Sequence, residues 1–160
     1  MGKEENLVVK KTIGSKLKKL REGRNETQEH LDDTFDFDYG TICKIEHGRR
    51  SIHINELINF ARHFNVSPSY LCGQNDGQHY YNENSISGEE TSRTRIIGLR
   101  KAAHLSQREL DKRLGFKNNH VINAIENGSR QIKATDLYVI ANYFGVSISY
   151  LCGETDSPEL

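Results

Sequence analysis

The sequence predicts an all-α chain made of two tandem five-helix units, and three observations carry that reading. The chain repeats itself: residues 57–73, LINFARHFNVSPSYLCG, align with residues 137–153, LYVIANYFGVSISYLCG, sharing Leu, Ala, Phe, Val, Ser, Ser, Tyr, Leu, Cys and Gly at an offset of 80. Apolar residues recur at helical spacing, and no run alternates for long enough to form a sheet. The chain has 160 residues, 35% of them hydrophobic, which matches two very small cores and excludes a single large one.

The repeat reaches further upstream. Ile45-Glu46-His47-Gly48-Arg49-Arg50-Ser51-Ile52 corresponds to Ile125-Glu126-Asn127-Gly128-Ser129-Arg130-Gln131-Ile132 at the same offset. Leu20-Arg21 corresponds to Leu99-Arg100, and Gln28, Leu31 and Asp32 to Gln107, Leu110 and Asp111, now at an offset of 79. The second copy therefore carries one extra residue between Leu114 and Ile122. The expected organisation is a first domain over 1–73, a polar linker over 74–91, a second domain over 92–153 and a tail over 154–160. The linker, QNDGQHYYNENSISGEET, has no basic residue before Arg93. As a free coil of that length it would span roughly 25 Å, with a stretched limit of about 60 Å. Tyr80, Tyr81 and Ile86 are the side chains that would dock it and shorten that reach.

Each unit divides into helices by spacing and punctuation. Helix one of the first unit starts near Thr12 and carries Ile13, Leu17 and Leu20. Helix two starts at the N-cap Thr27 in the first unit, and at Ser106 in the second, where Ser106 and Glu109 form a capping box. Helix three is expected over about Tyr39–His47, ending at Gly48, and over Asn119–Asn127, ending at Gly128. Helix four is expected over Asn55–Phe64 and Thr135–Phe144, and a short fifth helix follows Ser67-Pro68. Helices two and three are joined by only FDFD in the first unit and LGFKN in the second, which suits two helices crossing steeply as a helix-turn-helix.

The residues Leu-x-x-Leu-Arg, Gln-x-x-Leu, Ile-x-x-Ile-Glu-x-Gly-x-Arg, Leu-x-x-x-Ala-x-x-Phe-x-Val-Ser and Tyr-Leu-x-Gly resemble the phage-repressor/Cro-type helix-turn-helix domain of the Xre family, over about residues 12–73 and again over 93–153. The resemblance implies two tandem five-helix lambda-repressor-like domains, each laying its third helix in the DNA major groove. It also implies two structural salt bridges, Arg21 with Glu46 and Arg100 with Glu126.

In such a motif the first residues of helix three face base edges, and a side chain one turn later reaches the same groove. That assigns base reading to Asn119, His120 and Asn123 in the second unit, and to Tyr39, Thr41 and Lys44 in the first. Asparagine can bridge the two major-groove groups of adenine, and lysine or histidine can donate to guanine. Phosphate contacts are expected from Gln107, Lys117, Asn127 and Arg130, and from Gln28, Arg49 and Arg50. The units differ in charge. Residues 25–48 hold seven acids against Lys44 alone, a net of −6, whereas 104–128 hold four bases against three acids, a net of +1. Phosphate neutralisation dominates DNA affinity, so the second unit is expected to be the better reader. The first is expected to read weakly or to face a protein partner.

The remaining features narrow the function. Three cysteines without CxxC spacing exclude a disulfide framework, and the buried-looking Cys72 and Cys152 read as small hydrophobes. Seven histidines show no ligand spacing, so no metal or cofactor is expected, and no catalytic constellation points to an enzyme. No run approaches the ~20 apolar residues of a membrane span, no secretory core opens the chain, and a cytoplasmic protein is expected. The expected function is a sequence-specific double-stranded DNA-binding transcriptional regulator of phage or mobile-element repressor type. Its expected partner is a duplex operator, bound by one chain supplying both readers or by a homodimer. The competing reading is a protein-interaction module, an antitoxin or anti-repressor, using the first unit against a protein.

Overall fold

The computed structural model describes residues 3–75, 80–83, 85 and 88–160. They form helices α1 (Lys3–Gly23), α2 (Gln28–Thr34), α3 (Thr41–Glu46), α4 (Ile54–Phe64) and α5 (Pro68–Leu71), then α6 (Glu89–Ala102), α7 (Gln107–Arg113), α8 (Val121–Glu126), α9 (Ala134–Phe144) and α10 (Ile148–Cys152). The two sets of five follow one order. Capping sets the boundaries. The hydroxyls of Thr27, Ser67, Ser106 and Ser147 each accept the N–H three residues on, and Glu109 returns a carboxylate to the Ser106 N–H at 2.8 Å. Ile13, Leu17, Leu31, Ile42, Ile45, Leu57 and Phe60 are buried in the first set, and Ile96, Leu110, Ile122, Ile125, Leu137 and Ile140 in the second. Cys72 and Cys152 are buried at the ends of α5 and α10, and burial pushes the Cys72 thiol up to about 12.

One polar clamp ties three helices together in each set. The Arg21 guanidinium grips Glu46 with Nε to Oε1 at 2.7 Å and Nη2 to Oε2 at 3.2 Å, and donates Nη1 to the Glu26 carbonyl at 2.9 Å. Gln28 Nε2 donates to the same carboxylate at 2.5 Å. Arg100 repeats this on Glu126 at 2.6 and 2.9 Å and on the Leu105 carbonyl at 2.7 Å, with Gln107 Nε2 donating at 2.6 Å. The end of helix three is thereby fastened to the first two helices of its set.

The start of helix three is held by a second carboxylate. Asp32 accepts the Gly40 N–H with Oδ2 and the Ile42 N–H with Oδ1, each at 2.8 Å. Gly40 turns left-handed there (φ 80), so α3 opens at Thr41 and not at Tyr39 as the spacing predicts. In the second set Asp111 accepts only the Ile122 N–H, at 2.9 Å, and its Oδ2 is buried with no partner. The extra residue in the second turn accompanies this loss. The helix there starts at Val121, after His120 at φ −134, and not at Asn119. Burial raises the Asp111 carboxyl above its ordinary value, partly offset by the Ile122 N–H and by His120.

Three features go beyond the expected outline. Helix α1 begins at Lys3, ahead of Thr12, because the buried stripe Ile13–Leu17 continues back to Val9 and α1 also packs on α9 of the other set. The segment 74–91 is not a free coil over its described residues. Gln74 donates Nε2 to the Val146 carbonyl at 2.8 Å and accepts the Ile148 N–H at 2.6 Å, Tyr81 is buried, Asn82 meets Glu154, and Glu89–Thr91 belong to α6. Tyr80 stays exposed, and Ile86 lies outside the described residues. The tail 154–160 is also docked: Glu154 is buried, the Pro158 carbonyl accepts the Ser147 N–H at 2.9 Å, and Arg95 pairs with Asp156 at 2.7 Å.

The two sets meet along a seam with near two-fold symmetry. Ile54 N–H donates to the Ile132 carbonyl at 2.9 Å and Ala134 N–H to the Ile52 carbonyl at 3.0 Å, forming an antiparallel bridge between His53 and Lys133. Ser69 N–H donates to Ser149 Oγ at 3.3 Å, and Ser149 N–H to Ser69 Oγ at 2.9 Å. Both pairs are separated by 80 residues, the repeat offset, so equivalent positions pair with each other. That is the signature of an isologous contact, here made within one chain.

Two outcomes follow from this packing. Arg21→Ala leaves the Glu46 side chain, 1% exposed, without its cation, and a loss of about 3–5 kcal/mol is expected by urea denaturation. A loss under about 1 kcal/mol, typical of an exposed pair, would contradict the clamp. A raised carboxyl favours the protonated form in the folded state, so Asp111 stabilises less as pH rises from its unfolded value through its folded one. Asp111→Asn keeps an acceptor for Ile122 and removes the charge. Its Tm relative to the parent should therefore climb as pH rises above the ordinary aspartate value of about 3.9; a difference independent of pH would refute the assignment.

Candidate nucleic-acid interface

In the second set the turn and the start of α8 present Lys117, Asn118, Asn119 and His120 to solvent. Asn123 and Asn127 are exposed along the same helix, and Arg130 is half-buried just beyond it. A relay orients the asparagines: Asn123 Nδ2 donates to Gln107 Oε1 at 3.0 Å, Asn127 Nδ2 to Asn123 Oδ1 at 3.2 Å, and the Ser129 N–H to Asn127 Oδ1 at 2.9 Å. Because Gln107 is itself bound to Glu126, the exposed amides are coupled to the clamp beneath them. Asn119 and His120 form no side-chain bond within this relay, and Lys117 extends from the turn.

Several assigned side chains are engaged inside the protein. Gln28 and Gln107 direct their amide donors onto Glu46 and Glu126. Arg50 pairs with Glu56 at 2.7 Å and lies over the Phe37 ring at 5.3 Å, while Arg130 pairs with Asp136 at 2.7 Å. Burial raises the Asp136 carboxyl, and the Arg130 charge works against that rise. Thr41 is buried at the first turn of α3, which the left-handed Gly40 opens. Tyr39 is 84% exposed, Lys44 and Arg49 are exposed, and these remain the first set's outward candidates.

The charge contrast sharpens with burial. Asp32, Glu46 and Asp111 are buried, and the Glu126 side chain is only 7% exposed. Setting two internal acids aside in each unit leaves −4 over 25–48 and +3 over 104–128. Glu29, Asp33, Asp36 and Asp38 are all exposed around Tyr39, whereas Arg108, Lys112, Arg113 and Lys117 are exposed around the second motif. Sequence reasoning missed the capping role of Asp32 and Asp111, although both stand at one place in the repeat. Among the described residues no group of His, Cys, Asp and Glu is placed to hold a metal ion, and no helix is long and apolar enough to cross a membrane.

Comparison with known proteins bears on the second set. The helix-turn-helix family model matches residues 96–151, from Ile96 in α6 to Leu151 in α10. The matched stretch holds α7, the turn and α8, and it points to a DNA-binding transcriptional regulator. The first set of helices lies outside the match. No curated protein and no solved structure matches the chain.

Proposed function

We propose that the chain is a sequence-specific double-stranded DNA-binding repressor of phage or mobile-element type, working in the cytoplasm, with tandem helix-turn-helix domains at 1–73 and 92–153. The observation that carries this reading is the seam. Equivalent positions pair, by main-chain bonds at 53 with 133 and by N–H to hydroxyl bonds at 69 with 149, and this supports α3 and α8 as symmetry mates, as in a dimer on a two-fold operator. One chain thereby supplies both halves, and a homodimer is not required. In this reading α8 enters the major groove, with Asn119, His120 and Asn123 at base edges and Lys117, Asn127 and Arg130 along phosphates. In the other half-site Tyr39 and Lys44 read, and Arg49 and Arg50 anchor. The acidic surround of Tyr39 makes that half the weaker one, because carboxylates oppose counterion release.

A second reading is favoured by the same acids. Exposed Glu29, Asp33, Asp36 and Asp38 around an 84% exposed tyrosine suit a basic protein partner, as an antitoxin or anti-repressor would need.

Selection of duplexes from a random pool by the full chain, followed by anisotropy titrations against salt, separates the two. The expected result is one chain per duplex on a two-part site whose C-terminal half dominates. Asn119→Ala should cost ~1–3 kcal/mol at one base pair and relax its identity, whereas Lys117→Ala should weaken all duplexes and flatten the salt slope by about 0.9. Absence of duplex binding at low salt would overturn the DNA reading and favour the protein partner.

A further inference from the structure

Beside the second motif lies a cleft of about 390 Å³ that the repeat does not explain. One wall is the start of α1, carrying Asn6 and Lys10; the other is the α7–α8 turn with Lys117, and the approach to α9 with Arg130, Lys133 and Asp136. The α1 wall is unique to the first unit. At the repeat offset of 79, Lys10 corresponds to Glu89, where α6 begins, so the turns of α1 before Lys10 have no helical counterpart. An acid in the second unit stands at the repeat position where the first has a cation. Glu89 is engaged within its own unit, accepting the Ile132 N–H at 3.1 Å and pairing with Arg93 at 3.1 Å.

The cleft is electrically unbalanced. Four cations line it against one carboxylate, and that carboxylate, Asp136, is turned onto Arg130 at 2.7 Å. No carboxylate lies within ion-pair distance of Lys10, Lys117 or Lys133 among the described residues. Lys10 and Lys133 are half-buried, so their charges are less screened than on an open face. The wall also holds an orphan: Asn6 Oδ1 is buried without a donor, a cost that proteins seldom leave unmet. Three net positive charges and one waiting acceptor describe a multiply charged anion that also carries an N–H or O–H. The volume is that of a small-molecule pocket.

We propose that this cleft binds a small phosphate-bearing ligand of mononucleotide size, with the phosphates between Lys10, Lys117 and Lys133 and a donor of the ligand on Asn6 Oδ1. Binding there does not depend on the DNA reading. Its regulatory consequence does: Lys117 and Arg130 are shared with the phosphate anchors of α8, so ligand and operator compete.

Calorimetric titration of the full chain at constant ionic strength tests this with ADP, GDP, pyrophosphate and inorganic phosphate, using sulfate as the control for plain anion screening. Saturable one-to-one binding of at least one phosphate compound above sulfate is expected, with affinity lowered tenfold or more by Lys10→Ala/Lys133→Ala. Asn6→Ala should weaken the nucleotides and leave pyrophosphate unchanged. The bound compound should lower operator affinity in the parent and not in the double variant. No saturable binding, or binding that the double variant retains, overturns the proposal. A double variant that loses duplex affinity while no free phosphate compound binds the parent also overturns it, by making the cleft part of the DNA path. Ligand binding without any duplex binding would uphold the site while the DNA reading failed.

Discussion

The third helix of each unit is six residues long, well below the length at which a helix holds its shape in water, so the molecule depends on fixing it from both ends. A carboxylate from the preceding helix takes the N–H groups at its start, and an arginine from the first helix takes the glutamate at its end. Between these anchors Ile42 and Ile45, or Ile122 and Ile125, press into the core. The exposed face is therefore rigid because of what lies behind it. The amide relay from Gln107 through Asn123 to Asn127 carries that rigidity to the surface.

The two units share this plan and diverge in its details. Asp32 is fully satisfied, while Asp111 keeps one lone oxygen in a dry interior, with the raised carboxyl that follows. Gly14 lies so close to the end of α3 that an added Cβ would sit 2.4 Å from the Ile45 carbonyl oxygen, whereas the second unit places Arg93 at the corresponding position. Charge has moved in opposite directions on the two outer faces, and α1 has grown backwards over its neighbour. The seam, by contrast, is symmetric: main-chain N–H and carbonyl groups pair across it at 52–54 and 132–134, and Ser69 and Ser149 exchange N–H to hydroxyl bonds.

Much of this was legible in the residues. Serine and threonine caps, the capping box at Ser106 and the 3.6-residue periodicity gave the helix order, and the internal repeat gave the two sets. The salt bridges followed from the family resemblance at Arg21, Glu46, Arg100 and Glu126. What escaped depends on partners distant in sequence. Val9 is buried at the head of a helix that packs on α9, Gln74 meets Val146 and Ile148, and Asn82 meets Glu154; no local pattern announces such meetings. A single left-handed glycine, Gly40, shifts the start of α3 to Thr41, and the spacing carries no sign of it. Arg50 and Arg130 each find an acid six residues on, a pairing the motif does not announce.

A homodimeric repressor writes every substitution twice, once in each subunit, and so is held to targets whose halves mirror one another. Here the halves are encoded separately and joined by one covalent chain. Their encounter does not depend on protein concentration, and no dilution can part them. Each half is free to change its outer face while the other keeps its own. The opposite charges already present on the two faces are what such independent inheritance would leave behind.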